Sequence, residues 1–363
     1  MHRTTVFLFL LLVVQACNSN PASEPPPPPP PPEDPVVAGV NLDTLFASPT
    51  GQERATVQSE WASRSTTYEF DHVASTEDDD GAELEVFAVR RIATTEVLFY
   101  GMYRLPIRKP GDVAPRPLVL VLPDGDGNAS DFALRPGALP ITPAEHEDYI
   151  FVTVAYRGQQ LAAGDLEFSS QAEPQAYDFD TDDALAFLDY VRGYEILVNQ
   201  NSTGVIGVGR GGTVALLAAS RDYPFDLVVD IAGPTDFIGP IFRSTARSIL
   251  QGNSGGNFPA ISEIAENILY PLRDEEITME EARHELLLRS PRHFVSPPPF
   301  IFVTHGQLDF TVSVEHSRAL DTIGGTTEAL YLEVENTDHI NILQNFEVIS
   351  RTTAFLQEHL DGP

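Results

Sequence analysis

The stretch GVIGVGRGGTVALL, from Gly204 to Leu217, constrains the fold of this chain more than any other segment. An apolar run, a glycine-rich turn and a second apolar run predict a strand that passes directly into a helix. Two unrelated chemistries use this arrangement: a phosphate-binding G-x-G-x-x-G loop and the G-x-S-x-G elbow that exposes a nucleophilic serine. Gly207, Gly209 and Gly212 fit the first pattern. The second pattern fits only with Gly209 at the position of the serine.

Strand-like and helical segments alternate along most of the chain. The first two strand-like runs are mixed in character, whereas the later ones are nearly continuous apolar runs, as in strands buried on both faces of a parallel sheet. This order predicts an α/β fold with a mostly parallel central sheet, flanked by helices and preceded by an antiparallel hairpin. The predicted strands are 84–91, 96–106, 117–123, 149–156, 204–209, 226–233, 299–306 and 329–335.

The N-terminal 39 residues are expected to lie outside the folded domain. Residues 1–16 combine a basic start with an apolar run too short to span a bilayer, which favours a signal peptide. The residues that end at Cys17 resemble the lipobox of bacterial lipoproteins, which implies a lipid anchor on Cys17 and, from Asn18, an outer-membrane location. An ordinary secretory signal is the alternative. The proline-rich remainder of 17–39 predicts an extended spacer.

Residues 40–363 are long enough for one large domain with a sizeable core. The segment 236–288 breaks the alternation and is predicted to be a helical insertion, lid-like, over the carboxyl edge of the sheet. The whole chain has 53 acidic and 22 basic residues and a formal net charge of −31, so no nucleic-acid partner is expected. The nine histidines show no metal-ligand spacing, and no metal or other cofactor is predicted.

The dinucleotide interpretation of the glycine turn has some support. Asp230 ends the strand that follows the turn, about 20 residues downstream, where such sites place an acidic residue. However, four predicted strands precede the turn, whereas this fingerprint usually opens its domain. An exported protein also rarely meets a nicotinamide cofactor. This interpretation is therefore kept only as the weaker alternative.

The elbow interpretation is supported by two residues downstream. Asp309 lies in the loop after strand 299–306, and His339 lies in the loop after strand 329–335. The order nucleophile, acid, histidine along the chain is the order of an α/β-hydrolase triad. Because carboxyl ends of parallel strands meet at one edge, the pattern predicts that both side chains lie beside the glycine turn.

With these residues, the sequence resembles the α/β-hydrolases of the prolyl oligopeptidase (peptidase S9) and dienelactone hydrolase type. The resemblance covers about 83–360 and rests on the phrases YRGQQL, VIGVGRGGTVALLAASRDYPFDLVVDIAGPTDF, RSPRHF and HGQLDFTVSVEHSRAL. It implies that Asp309 orients His339 and that His339 is the general base and acid. It also implies an oxyanion hole formed by the backbone N–H of Arg210 and an N–H near Asp124 or Gly125.

The departure from that family is the missing serine. Gly209 carries no oxygen, so no acyl-enzyme can form through it, and the hydroxyl of Thr213 is expected to point away from His339. Loss of a triad serine typically lowers kcat by a factor of about 10⁶. The favoured interpretation is a binding protein or very weak hydrolase that receives a small ester-like or peptide-like ligand. The alternative is a serine-free hydrolase in which His339 activates a water molecule.

Overall fold

The computed structural model describes residues 34–64, 67–295, 300–321 and 330–360. The predicted signal peptide, Cys17 and most of the proline-rich spacer lie outside the described residues. Within these ranges, no helix combines the length and apolar character that a membrane crossing requires.

Within the described ranges, nine strands form the central sheet. In spatial order they are β9-β8-β7-β6-β4-β5-β3-β2-β1. The six strands from β9 to β5 run parallel, whereas β1, β2 and β3 form an antiparallel meander whose last strand pairs with β5. The strands are β1 Tyr68–Glu77, β2 Glu83–Arg91, β3 Val97–Arg104, β4 Arg116–Leu122, β5 Ile150–Ala155, β6 Val198–Val208, β7 Leu227–Ile231, β8 Phe300–Gly306 and β9 Leu330–Val334.

The apolar runs explain the interior of this sheet. Every residue of β5 and β7 is buried, which fits strands covered by helices on both faces. The predicted hairpin needs correction, because β1 extends it to a three-stranded meander. Its sequence YEFDHVASTE has no fully buried position, so it lacks the apolar pattern that identified the other strands. A further small sheet of Ala129–Ser130, Gln160–Ala163 and Leu166–Ser169 was also missed.

Helices connect the strands. The longer ones are α1 Gly51–Ser63, α2 Asp178–Tyr194, α3 Arg210–Ser220, α4 Pro240–Leu250, α5 Met279–Leu288, α6 Glu315–Asp321 and α7 Phe346–Leu360. Short helical turns are Leu42–Leu45, Asp131–Leu134, His146–Asp148, Pro291–His293 and Asn341–Gln344, and a short strand pair joins Val36–Val37 to Val40–Asn41. Between α4 and α5, helical turns at Ile261–Ile264 and Tyr270–Arg273 flank a π-helical turn at Ala265–Leu269.

The order in which the chain adds strands to the sheet reverses next to β4. From β4 it moves to β5 on one side, and then returns to β6 on the other side. In the register of the β4–β6 pair, Leu122 lies opposite Gly207, so the loops that follow the two strands begin side by side. Such a reversal opens a crevice at the carboxyl ends of the strands, where open α/β sheets bind ligands.

Candidate active site

The turn after β6 is held by close backbone packing and by one unusual backbone conformation. Gly209 has φ 49° and ψ −113°, a conformation that glycine adopts without the steric conflict of a side chain. A β-carbon at Gly207 would overlap the backbone of Gly211, and one at Gly211 would overlap the backbone of Leu122. The glycines therefore allow α3 to start close against β4 and β6. This geometry accounts for the glycine pattern without a bound phosphate.

The predicted acid and base are in direct contact. The Nδ1–H of His339 donates to Oδ2 of Asp309 at 2.5 Å. The other carboxylate oxygen of Asp309 accepts the backbone N–H groups of Thr311 and Val312, each at 2.8 Å. Asp309 follows β8 by three residues and His339 follows β9 by five, so two adjacent loops supply the pair. A carboxylate held in this way fixes the ring orientation of its histidine.

The space beside Gly209 contains the carboxylate of Asp124. A β-carbon added to Gly209 would overlap this carboxylate. Oδ2 of Asp124 accepts from Nε2 of His339 at 2.9 Å, on the side of the ring opposite Asp309. Oδ1 accepts the backbone N–H of Arg210 at 2.9 Å. Asp124 therefore uses the backbone N–H of Arg210, which the resemblance assigned to the oxyanion hole.

From the sequence, Asp124 was expected only to lie close to an N–H donor of the oxyanion hole. The position of its side chain was missed. The signal available in the sequence was an acidic residue two positions after β4, in a loop that must face Gly209. The carboxylate of Asp124 lies in the space where the serine-free alternative places its water molecule, and that alternative stays a prediction.

The two carboxylates control the charge of His339. Burial lowers the pKa of His339, but hydrogen bonds and charge attraction from Asp124 and Asp309 outweigh burial and raise the pKa to about 9. Burial would raise the pKa of Asp124, yet the hydrogen bond and charge of His339 bring that pKa below its ordinary value. The pKa of Asp309 is also lowered, against burial, by His305 and His339. At neutral pH the site is therefore an imidazolium between two carboxylates.

The side chain of Arg210 lies in the protein interior and belongs to a separate ionic network. Its Nε donates to Asp180 at 2.9 Å and its Nη1 donates to Glu263 at 3.0 Å. The guanidinium also lies 4.7 Å from the ring centroid of Tyr156. Glu263 comes from the predicted insertion 236–288, so this segment contacts the start of α3 through a buried ion pair. These contacts fix the backbone N–H of Arg210 in its position.

Thr213 and Asp230, the two other candidates from the sequence, make no hydrogen bond to His339 or Asp309. Thr213 is buried and its hydroxyl donates to the carbonyl of Pro234, not to His339. Asp230 is fully buried, and its Oδ1 accepts the N–H of Gly233 at 3.0 Å. A carboxylate in that position is not available to a ribose hydroxyl, so the geometry gives the dinucleotide interpretation no support.

Fold and site geometry together define the class. The sheet order, the turn after β6 and the loops that carry Asp309 and His339 constitute the α/β-hydrolase fold, as predicted, and a solved esterase structure is similar to this chain over most of its length. No described protein family and no curated protein matches the sequence.

Acetyl xylan esterase 1 from Thermoanaerobacterium sp. is 13% identical, with a TM-score of 0.55 over 85% of this chain and 92% of the esterase. The acylaminoacyl peptidase of Pyrococcus horikoshii is 13% identical, with a TM-score of 0.48 over 82% of this chain and 42% of the peptidase. Dipeptidyl peptidase 4 of Porphyromonas gingivalis is 15% identical, with a TM-score of 0.49 over 82% of this chain and 36% of that protein. The chain thus spans less than half the length of the two peptidases. At such identities the likeness establishes the fold and leaves the activity open.

Proposed function

We propose that this protein binds a ligand in the crevice of an α/β-hydrolase fold without hydrolysing it. The observation that carries the proposal is the Asp124 carboxylate beside Gly209, where a hydrolase would hold its nucleophile. Acyl transfer needs a nucleophile, a base and donors for the developing oxyanion. Gly209 has no hydroxyl, and Asp124 already occupies the backbone N–H of Arg210.

The charge of His339 supports the same proposal. A general base works best when its pKa is close to the working pH. With a pKa of about 9, the ring of His339 is mostly protonated at pH 7 and cannot take a proton from water. An enzyme that loses only its serine still reacts roughly 10³ to 10⁴ times faster than the reaction in water, because substrate binding and the oxyanion hole still contribute. A filled oxyanion hole should remove most of that remainder.

The test is a hydrolysis screen of the native protein with two variants. Substrates are p-nitrophenyl esters, acetylated xylo-oligosaccharides and aminoacyl naphthylamides, the last two chosen from the names of the similar structures. We expect no turnover by the native protein above that of His339→Ala. The double variant Gly209→Ser/Asp124→Gly, which supplies a hydroxyl and clears its space, is the positive control. Native turnover that disappears in His339→Ala would instead establish a serine-free hydrolase.

We also propose that the protein is exported and attached to the outer membrane through lipid on Cys17. The support is the apolar run before Cys17 and the absence of any other cysteine in the sequence. Cys17→Ser should move the protein from the membrane fraction to the soluble fraction and stop incorporation of labelled palmitate. Retention in the membrane by Cys17→Ser would exclude this anchor.

A further inference from the structure

Three large apolar side chains that are next to the acid and base in the sequence face solvent. Leu308 and Phe310 flank Asp309 and are 45% and 94% exposed, and Ile340 follows His339 and is 76% exposed. The two loops lie side by side, because the N–H of Leu308 donates to the carbonyl of Thr337 at 2.9 Å and Asp309 contacts His339. We call Leu308, Phe310 and Ile340 the apolar rim. Exposed apolar side chains grouped at a crevice indicate a surface that contacts a ligand.

Beside the apolar rim lies a receptor for one carboxylate. It consists of the imidazolium of His339 and the backbone N–H of Arg210, and it now holds the carboxylate of Asp124. The Asp124 side chain is 32% exposed, so this receptor opens to solvent. Charge-assisted hydrogen bonds of this kind suit any carboxylate with the same geometry. Asp124 thus shows which chemical group the receptor accepts.

We propose that the crevice binds an aliphatic carboxylic acid, whose head group replaces the carboxylate of Asp124 and whose tail lies on the apolar rim. This inference rests on the proposed function, since a hydrolase would release such an acid as product. Exchange of one carboxylate for another keeps the imidazolium paired between two anions. The displaced Asp124 turns into solvent, which is the natural environment of a carboxylate.

The tail, more than the head group, must provide the affinity. The formal net charge of −31 repels anions, and the head group gains little because it only replaces an equivalent carboxylate. Apolar contact with the rim is the remaining favourable contribution. Binding should therefore tighten with chain length, by up to about fourfold for each methylene that covers the rim. Acetate should not bind measurably.

The effect of removing the Asp124 carboxylate distinguishes a ligand that displaces Asp124 from a ligand that Asp124 contacts directly. Asp124 is tethered beside the receptor and competes with the ligand at a high effective concentration, of millimolar order for short flexible tethers. Removal of its carboxylate should strengthen binding by roughly tenfold or more. If Asp124 itself held the ligand, the same change would abolish binding. The sign of the effect therefore decides between the two arrangements.

The experiment is calorimetric titration of the intact chain with sodium decanoate, octanoate and acetate, and with decanol as the uncharged counterpart. Asp124→Ala is compared with Asp126→Ala, which removes an exposed carboxylate from the same loop. We expect decanoate to bind more tightly than octanoate, acetate not to bind, and Asp124→Ala, unlike Asp126→Ala, to tighten the binding of decanoate but not that of decanol. Phe310→Ser should weaken decanoate binding. Asp124→Asn replaces Asp124→Ala if the alanine variant does not fold.

Other outcomes overturn the inference. An equal gain in the binding of decanol and decanoate in Asp124→Ala would remove the role of the carboxylate receptor, and loss of binding in Asp124→Ala would make Asp124 a ligand contact. No binding of decanoate by the native protein up to millimolar concentration would also exclude it. Methyl decanoate separates this inference from the proposed function. Its hydrolysis by the native protein would contradict the proposed function, whereas absence of both hydrolysis and decanoate binding would contradict only the inference.

Discussion

The carboxylate of Asp124 occupies the space that a side chain at Gly209 would need. The two residues are far apart in sequence but follow neighbouring strands, since β4 and β6 pair directly. Each residue therefore restricts the other: the acid fits because position 209 has no side chain, and a side chain at 209 is excluded while the acid is present. Substitution at either position has to be interpreted together with the other.

Gly209→Ser alone is expected to remain inactive. The new side chain would overlap the Asp124 carboxylate and would force a non-glycine residue to φ 49°, which should lower the free energy of unfolding by about 1–3 kcal/mol. The added hydroxyl would also meet a protonated His339. We expect no labelling by a fluorophosphonate probe in the single variant and labelling in Gly209→Ser/Asp124→Gly. Gly209→Ala is the control, since it has the same steric effect without a hydroxyl. Labelling of the single variant would show that Asp124 leaves the site easily.

The titration of His339 can be observed directly by NMR. Its ring should titrate with a pKa of about 9 in the native protein, because Asp124 and Asp309 both stabilise the imidazolium. Asp124→Asn removes one of these charges and should lower the pKa of His339. A native pKa near 6.5 would contradict the imidazolium between two carboxylates.

The same pKa determines how His339 affects stability. Its value is raised in the folded state from an ordinary 6.5, so folding favours the protonated ring. The resulting stability is fully present below pH 6.5 and is lost as the pH rises through about 9. His339→Gln should therefore lose more stability at pH 6 than at pH 10 when both proteins are unfolded with urea. Equal losses at the two pH values would mean that the imidazolium adds no stability.

Much of the fold and part of the site follow from the sequence. The alternating segments predicted the parallel strands, and the positions of Asp309 and His339 after two of them predicted that they would meet. Their catalytic roles stay predictions. The side chain of Asp124 was not predictable in the same way, because the turn residues of PDGDG indicate a loop and not the direction of one carboxylate. The strand β1 was missed because it is half exposed.

Arg210 should be essential for stability through its side chain. Its guanidinium is fully buried and pairs with Asp180 and Glu263. Arg210→Met would leave the buried carboxylate of Asp180 and the part-buried carboxylate of Glu263 without this cation, so we expect a loss of about 3–5 kcal/mol in the free energy of unfolding. Arg273→Met is the matched control: its ion pair with Asp274 lies in solvent, and no measurable change is expected. Similar losses in both variants would argue against a special role of the buried network.

Asp230 is the clearest case of a buried acid that weakens the folded state. Burial raises its pKa to about 7 from an ordinary 3.8, with a smaller opposing effect from His305. Its Oδ1 accepts one N–H, and its Oδ2 has no hydrogen-bond partner among the described residues. The folded protein therefore keeps this proton between about pH 4 and 7, whereas the unfolded chain releases it. Stability should fall across this range, by on the order of 4 kcal/mol in total for this group.

Asp230→Asn replaces the acid with a neutral group of similar shape, so it should remove this dependence. We expect the variant to be more stable than the native protein at pH 8, where the native carboxyl must ionise without a partner, and similar to it at pH 4. Urea unfolding at the two pH values measures the difference. Asp222→Asn, at an exposed position that follows α3, is the control and should change stability equally little at both. A variant that is less stable than the native protein at pH 8 would mean that the ionised carboxylate of Asp230 makes a stabilising contact in the native protein. The amide of the variant lacks the charge that this contact would need.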